Sequence, residues 1–171
     1  MSAATTINSL PEQAARQVLE NCCAAPGWVT QMVAQRPFAN DAELFAMAAT
    51  IWWQLPREQW QAAFAAHPKI GDIDSLQKKY CSTANLAAGE QAIVSQATQQ
   101  TLQELADYNR EYELRFGYIF IVCATGKSAD EMLALLKSRL PNEPDYEISI
   151  AAAEQLKITL LRLQKMAAAA T

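Results

Sequence analysis

Residues 40–55, NDAELFAMAATIWWQL, decide the fold class of this chain of 171 residues. Apolar side chains recur through the stretch at the helical spacing of about 3.6 residues, which gathers them on one face. Asn40 or Asp41 is suited to cap the N-terminus of such a helix, because a short polar side chain accepts hydrogen bonds from free backbone N–H groups. The stretch therefore predicts a helix with one buried face. That face consists of Leu44, Phe45, Ala48, Ile51, Trp52 and Leu55.

Similar signals predict helices on both sides of this stretch. Ser9 with Glu12 makes a capping box, with Pro11 in the first turn, and predicts a helix over residues 10–23. The other helices are predicted from prolines, from a second capping box at Ser128 and from apolar residues at helical spacing. These lie around residues 28–33, over 56–67, for a turn or two over 74–80, and over 86–117, 128–140 and 145–166.

Residues 118–124, YIFIVCA, have the composition of a strand, yet no second run of this kind exists to pair with them. We therefore expect an extended, buried connector. Residues 1–8 and 167–171 are expected to be frayed tails. The sequence thus predicts one domain over residues 1–171, an all-α multi-helix bundle with one short extended connector.

Composition argues against several classes of function. The net charge of -4 has the wrong sign for a protein that binds nucleic acid or an anionic membrane. A single histidine argues against zinc sites that need two, and the four cysteines have no zinc-like spacing, so no metal is expected. These cysteines are interpreted as reduced thiols and the start of the chain as free of a signal peptide, which favours the cytoplasm. A small-molecule substrate, even an anionic one, is compatible with this charge, because one buried arginine in a pocket outweighs a diffuse surface charge that solvent and salt screen.

The aromatic residues of the early helices bear on self-association. Most are expected in the core, but exposed Trp and Phe side chains there are compatible with a homodimer. The sequence leaves the oligomeric state open.

His67 is the first candidate for a functional site. It lies in AAHPKIGD, residues 65–72, where an alanine-rich helix stops at a proline. An imidazole at such an edge can exchange protons with a small ligand near neutral pH. Taken alone, a histidine beside a proline is more often a capping or surface residue, so the neighbouring motifs decide its interpretation.

Three further features are candidates, each with a structural alternative. Glu90 and Gln91 put a carboxylate beside a carboxamide near the start of a helix, where two solvated polar residues are also common. The extended backbone of residues 119–123 offers N–H and C=O groups without ladder partners, unless side chains or water satisfy them. Arg162 can grip a carboxylate through two parallel hydrogen bonds, although a lone helix arginine is usually solvated.

Five segments occur in an order and spacing that are more specific than any one of them. They are HPKIGD at 67–72, EQ at 90–91, LADYNREYELRFGYIFIV at 105–122, SRL at 138–140 and KITLLRL at 157–163. Together they resemble the all-helical 2-oxo-4-hydroxy-4-carboxy-5-ureidoimidazoline (OHCU) decarboxylases of the pathway from urate to allantoin. The resemblance covers about residues 9–163 and is strongest over NREYELRFGYIFIV.

The resemblance implies a carboxy-lyase that converts OHCU to (S)-allantoin. His67 is then the catalytic proton-transfer residue, with Pro68 beside it at the substrate. Glu90 would orient the imidazole or the ureido group, Gln91 would contact ring amides, and Arg162 would hold a substrate oxygen. The ring would be bound by the backbone of Ile119, Phe120, Ile121, Val122 and Cys123.

The chain departs from the family pattern at two positions. Many members carry a serine where this chain has Ala87, and a proline where it has Ile119. Ser82 or Asn85 is a candidate replacement for the missing hydroxyl, and the sequence leaves the choice between them open.

The chemistry implied by the resemblance needs no cofactor, because the electrons left by carbon dioxide can flow into the ring C=N of the substrate itself. Two other functions remain open from the residues alone. One is a non-catalytic helical protein, an adaptor or a small-ligand binder, in which His67 and Arg162 cap helices. The other is a hydrolase acting on ureides, which the lack of metal-ligand clusters and of a GxSxG motif disfavours.

Overall fold

The computed structural model of the chain describes residues 1–68 and 88–169, and the side chains of all of these except residues 88–98 and 168–169. Eight helices lie in this part of the chain, and none of its residues belongs to a strand. The all-α prediction is therefore confirmed. The helices are α1 (Ala3–Ser9), α2 (Glu12–Cys22), α3 (Pro26–Ala34), α4 (Asp41–Gln54), α5 (Arg57–Ala65), α6 (Ala88–Phe116), α7 (Ala129–Arg139) and α8 (Pro144–Ala169). The turn or two of helix predicted over residues 74–80 lies outside the described residues.

Several helix ends lie where the sequence predicted them, because a local side chain or a glycine determines each one. Asn40 caps α4, its side chain accepting from the backbone N–H of Glu43 at 2.9 Å. Ser128 caps α7 in the same way, accepting from Glu131 at 3.2 Å. Gly117 follows α6 with φ of 82°, a conformation that only glycine adopts without steric cost.

The capping box predicted at Ser9 is wrong. Ser9 is the last residue of α1, and its hydroxyl donates to the carbonyl of Thr6 at 2.9 Å. The residue that precedes α2 is Pro11, which makes no side-chain cap. Because a serine hydroxyl can satisfy either a preceding carbonyl or a following N–H group, the local pattern did not determine which helix it would serve.

The N-terminal tail predicted over residues 1–8 is also wrong, because α1 occupies most of it. Ile7 is completely buried. The N–H of Ala4 donates to the carboxylate of Asp41 at 2.8 Å, and the amide of Asn8 exchanges two hydrogen bonds with the backbone of Phe38. These partners lie 30 or more residues away in sequence, so local patterning did not predict them. At the other end, α8 continues to Ala169, beyond the start of the tail predicted over 167–171.

The chain divides into two compact units. One comprises Met1–His67 together with the chain from Ala151 onward, and the other comprises Pro68–Ile150. The single domain predicted over residues 1–171 stays a prediction. None of the helices in the described part of the chain is both long enough and apolar enough to cross a membrane.

Tryptophans form much of the core of the first unit, and their indole groups are paired. Trp28 and Trp52 are almost completely buried. Trp28 donates to the carbonyl of Ala48 at 3.1 Å, and Trp52 donates to that of Ala152 on α8 at 2.9 Å. Each indole therefore packs apolar surface without leaving its N–H group unsatisfied.

The second unit is built on α6 and α7, which pack against each other and against the connector predicted over residues 118–124. The connector forms neither helix nor strand, and Phe120, Ile121 and Cys123 within it are buried. The prediction of a buried connector between helices is therefore confirmed at these three residues, and its extended conformation stays a prediction. The buried cluster of this unit comprises Leu102, Leu105, Ala106, Tyr112, Phe120, Met132, Leu133 and Leu136.

Candidate functional site

His67 follows α5 directly, at the edge that the sequence predicted. Ala66 caps the helix, and the backbone N–H of His67 donates to the carbonyl of Phe64 at 3.1 Å. Phe64 is completely buried and anchors the end of α5 in the core of the first unit. Pro68 is exposed and prevents the helix from continuing, so the imidazole leaves the helix at a fixed point.

The imidazole of His67 lines a cleft of about 300 Å³ within the first unit. We call this space the His67 cleft. Residues of α2, α5 and α8 form it together with residues that directly follow α2 and α5, and its polar side chains outnumber its alanines. The lining residues are Glu20, Asn21, Ala24, Ala63, Ala66, His67, Gln155 and Arg162.

A short chain of hydrogen bonds ties His67 to α8. The Nε2 atom of His67 lies 2.5 Å from Oε1 of Gln155. The amide nitrogen of Gln155 donates to the hydroxyl oxygen of Thr159 at 3.2 Å, and that hydroxyl donates to the backbone carbonyl of Gln155 at 3.0 Å. Gln155 and Thr159 are 1% and 2% exposed, so the bonds between these two residues are shielded from water, and the bond to His67 is partly buried.

The surroundings keep the imidazole neutral. Burial lowers the pKa of His67 below its usual 6.5, the hydrogen bond with Gln155 opposes this change, and the positive charge of Arg162 adds to it. Glu20 and Arg162 are the charged side chains that line the cleft with it. At neutral pH His67 is therefore an uncharged base, able to accept a proton.

Arg162 lies on the same cleft and serves α2 as well. Its Nη1 donates to the backbone carbonyls of Asn21 and Cys22, both at 3.3 Å, which satisfies carbonyls at the C-terminal end of that helix. Within the described part of the chain, its Nε and Nη2 have no protein acceptor. Arg162 therefore combines a capping role with donors that remain for a ligand.

The neighbouring thiols are not nucleophiles. Burial raises the pKa of Cys22 to about 11 and also raises the pKa of Cys23, so both remain protonated at neutral pH. Cys22, Cys23 and Cys123 form no disulfide within the described part of the chain and are buried, as expected for small core residues, and Cys81 lies outside the described residues. Among the side chains that the structure describes, no three His, Cys, Asp or Glu residues converge to hold a metal ion.

The structure brings His67 and Arg162 to one cleft, whereas the other predicted site residues belong to the second unit. Glu90 and Gln91 lie in the first turn of α6, but their side chains are outside the described residues. The described residues also exclude Ala87, Ser82 and Asn85. The replacement of the missing hydroxyl by Ser82 or Asn85 therefore stays a prediction.

The connector at residues 119–123 has part of its backbone already paired. The carbonyl of Ile121 accepts from Arg139 at 2.7 Å, and that of Cys123 accepts from Lys127 at 2.8 Å. The backbone N–H groups of residues 119–122 meet no acceptor among the described residues. Two carbonyls of the connector are therefore already engaged within the protein.

Two groups of polar residues were missed by the reasoning from sequence. Gln155 and Thr159 lie on the face of α8 that also carries Leu163, and a polar pair on an apolar face was a signal that could have found them. Arg139 falls in the SRL segment and Glu147 in the first turn of α8, yet both are almost completely buried and bonded to each other. Nothing local in the sequence distinguishes these two from solvated charges.

The sequence of the chain is similar to one family of known proteins. Residues 8–164 match the family model described as OHCU decarboxylase. The chain is 36% identical over 146 residues to the Uric acid degradation bifunctional protein TTL of Arabidopsis thaliana, covering 85% of this chain and 45% of that protein. It is 31% identical to the 2-oxo-4-hydroxy-4-carboxy-5-ureidoimidazoline decarboxylase of Amia calva, covering 86% of this chain and 82% of the relative.

A solved structure is similar over nearly its whole length. The crystal structure of an OHCU decarboxylase in the presence of (S)-allantoin matches with a TM-score of 0.69 and 38% sequence identity, covering 87% of this chain and 96% of that one. The chain thus spans less than half of the bifunctional Arabidopsis protein but most of the single-function relatives named here.

Proposed function

Because the chain belongs to the OHCU decarboxylase family, we propose that it decarboxylates OHCU to (S)-allantoin in urate degradation. The observation that carries the proposal is the family match over residues 8–164, which includes a histidine with a lowered pKa in a polar cleft. A half-buried, neutral imidazole that lines a cleft with an arginine suits a substrate that is an anion and carries an exchangeable hydroxyl proton.

The reaction can be written without an external electron acceptor. The bond between the ring carbon and the carboxylate breaks, carbon dioxide leaves, and the electron pair moves into the adjacent ring C=N. The hydroxyl on the same carbon loses its proton as the ring carbonyl forms. The ring nitrogen and the ureido-bearing carbon each gain a proton, so one proton is consumed overall. The substrate is its own electron sink, and we propose that neither a metal nor an organic cofactor takes part.

We assign the proton transfer to His67. A neutral imidazole can take the hydroxyl proton as the electron pair moves, and the imidazolium that forms can return it. The free Nε and Nη2 donors of Arg162 would hold a carboxylate or carbonyl oxygen of the substrate in the His67 cleft. Such a grip would orient the carboxylate out of the ring plane, the geometry in which its electrons overlap with the ring C=N.

The remaining assignments rest on the resemblance to the family. Glu90 would orient His67 or the ureido group, Gln91 would contact ring amides, and Pro68 would lie beside the ring. The N–H groups of residues 119–122, which lack acceptors in the described part of the chain, support a role of the connector backbone in binding ring oxygens and nitrogens. Delivery of a proton to one face of the ureido-bearing carbon would give the S product.

Turnover of freshly made substrate tests the proposal. Urate is oxidised enzymatically in the presence of the hydrolase of the preceding step, and the slow ultraviolet decay of OHCU is followed with and without this protein. Added protein should accelerate the decay in proportion to its concentration, and prolonged chelation should leave the rate unchanged. Circular dichroism shows whether the added protein is folded. If folded protein leaves the decay rate unchanged, the result contradicts the proposal and favours a ligand-binding protein.

We also propose that the protein acts in the cytoplasm, which is supported by three buried cysteines that form no disulfide among the described residues. A homodimer is a further proposal. Trp53 is 46% exposed on α4, the kind of apolar side chain that self-association would cover. Light scattering coupled to size exclusion measures the mass in solution, and the mass of one chain would exclude the dimer.

A further inference from the structure

We propose that Gln155 is a positioning residue that holds His67 as its Nε2–H tautomer and so makes Nδ1 the nitrogen that exchanges protons with the substrate. The inference deepens the proposed function, since the tautomer matters for catalysis only if His67 transfers a proton. The tautomer itself is a property of the resting protein and can be measured without any substrate.

The hydrogen bonds of Thr159 determine the orientation of the Gln155 amide. The hydroxyl of Thr159 has one proton, and it donates this proton to the backbone carbonyl of Gln155. The same oxygen then presents lone pairs to the side chain of Gln155, which must offer its NH₂ group there. The carbonyl end, Oε1, is thereby turned toward the imidazole.

The tautomer of His67 then follows from the distance between the two side chains. Oε1 has only lone pairs, so the atom 2.5 Å away, Nε2 of His67, must carry a proton. A neutral imidazole has one N–H group, and Nδ1 is then left with its lone pair. Among the described residues, Nδ1 has no hydrogen-bond partner, so it is free to act as the base.

The burial of Gln155 and Thr159 stabilises this orientation of the amide. Gln155 and Thr159 are nearly inaccessible, so water cannot replace either bond if the amide turns over. If the Gln155 amide rotated by 180°, its Oε1 would face the oxygen of Thr159, and both atoms are hydrogen-bond acceptors. The Thr159 hydroxyl could donate to Oε1 only by breaking its bond to the backbone carbonyl of Gln155. Unpaired polar groups in a buried site are costly, which favours the orientation that satisfies all three residues.

The choice of an amide also explains the charge state of His67. A carboxylate in the same place would accept the same proton but would stabilise the imidazolium, as in His–Asp pairs. Glutamine accepts the bond without a charge and lets burial lower the pKa of His67. The amide of Gln155 thus leaves His67 as a neutral base with Nδ1 as its unprotonated nitrogen.

The direct experiment is a nitrogen-15 NMR measurement on protein without a histidine tag. His67 is the only histidine in the chain, so the two ring nitrogens give one unambiguous pair of signals. At neutral pH we expect Nε2 to have the shift of a protonated nitrogen and Nδ1 that of an unprotonated one. The reverse assignment, or averaged shifts from a mixture of tautomers, overturns the proposal. The wild-type protein suffices, so no variant has to fold.

Two variants separate positioning from structure. Gln155→Glu keeps the shape and adds a charge, and it should raise the NMR titration midpoint of His67 by about 1–3 pH units. Gln155→Leu removes the acceptor, so both tautomers should become populated and kcat should fall with little change in KM. Gln164→Glu, which adds the same charge at an exposed position of α8, is the matched control and should alter neither.

The outcomes distinguish this proposal from the proposed function. If the Nε2–H tautomer is found but the protein does not decarboxylate OHCU, the role assigned to the tautomer fails together with the proposed function, while the tautomer stands. If the protein is active and the Gln155→Leu variant, folded by circular dichroism, keeps wild-type kcat and tautomer, Gln155 has no positioning role.

Discussion

The two units of the protein each contain a buried polar network, and the two networks differ in charge. In the first unit, His67, Gln155 and Thr159 are joined by hydrogen bonds between uncharged groups. In the second, Arg139 and Glu147 form an ion pair that is almost completely buried. Burial alone therefore does not determine a network's role, because the first contains a base whose Nδ1 has no partner among the described residues, and the second pairs its two charges with each other.

The charged network is fully satisfied. Oε1 of Glu147 accepts from Nε of Arg139 at 2.7 Å and from the hydroxyl of Tyr112 at 2.6 Å, and Oε2 accepts from Asn142 at 3.0 Å. Burial raises the pKa of Tyr112, which keeps this phenol protonated and able to donate. Nη2 of Arg139 also contacts Oε1 of Glu147, at 2.6 Å, and Nη1 donates to the carbonyl of Ile121 in the connector at 2.7 Å. The network therefore has a structural task, to fix the connector.

The first prediction concerns the neutral network and has the largest expected effect. His67→Asn should fold normally but decarboxylate OHCU about a hundredfold to ten-thousandfold more slowly, because it removes a positioned base. Steady-state kinetics beside a thermal melt measure both consequences. A folded variant that keeps most of its turnover would mean that the neutral network is as structural as the charged one.

Removing one partner of the ion pair tests the charged network. Glu147→Ala leaves the guanidinium of Arg139 buried without a counter-charge, and we expect the free energy of unfolding to fall by about 3–5 kcal/mol. Urea denaturation measures the change. Glu143→Ala, at an exposed position just before α8, is the control, and it should alter the free energy by less than about 0.5 kcal/mol. Equal effects of the two substitutions would contradict the assignment.

A third prediction concerns Arg162, which has both a capping role and free donors. Arg162→Lys should stay folded and lower kcat/KM about tenfold to a hundredfold, since losing a hydrogen bond to a charged group costs about 1.5–3 kcal/mol. Lys165→Arg on the same helix is the control. Wild-type kinetics in the Arg162→Lys variant would leave capping of α2 as the only role of this residue.

The smallest effect expected is on stability against pH. Burial lowers the pKa of His67 in the folded chain, so the unfolded chain binds a proton there at higher pH than the folded chain does. Unfolding then takes up a proton at pH values below 6.5, and the free energy of unfolding falls as the pH decreases through that interval. Denaturation of the wild type and of His67→Asn from about pH 5 to 8 should differ in slope below 6.5. Identical slopes would show that His67 titrates as it does in water.

Local chemistry explains which features the sequence predicted. Asn40 and Ser128 cap the helices that follow them, because a cap needs only a short polar side chain and the next three residues. Ser9 has the same chemistry but serves the helix before it, and that choice depends on α1 being held in place by Asp41 and residues near Phe38.

The site was predicted in part for the same reason. His67 was found from its position at the end of a helix, whereas its partner Gln155 lies 88 residues further along the chain. The carbonyls that Arg162 caps lie 140 residues or more from it. Hydrogen bonds between residues so far apart depend on the packing of α2, α5 and α8, which no short pattern encodes.

The configuration of the allantoin shows directly whether this protein catalyses the decarboxylation of OHCU in its own site. OHCU is generated from urate and allowed to react to completion with the wild-type protein, with His67→Asn, or with no protein, and the circular dichroism of the allantoin is measured. We expect (S)-allantoin from the wild-type reaction and racemic product from the other two, because only a bound intermediate is protonated on one face. Racemic allantoin from the folded wild-type protein, at the rate of the uncatalysed decay, would contradict this expectation.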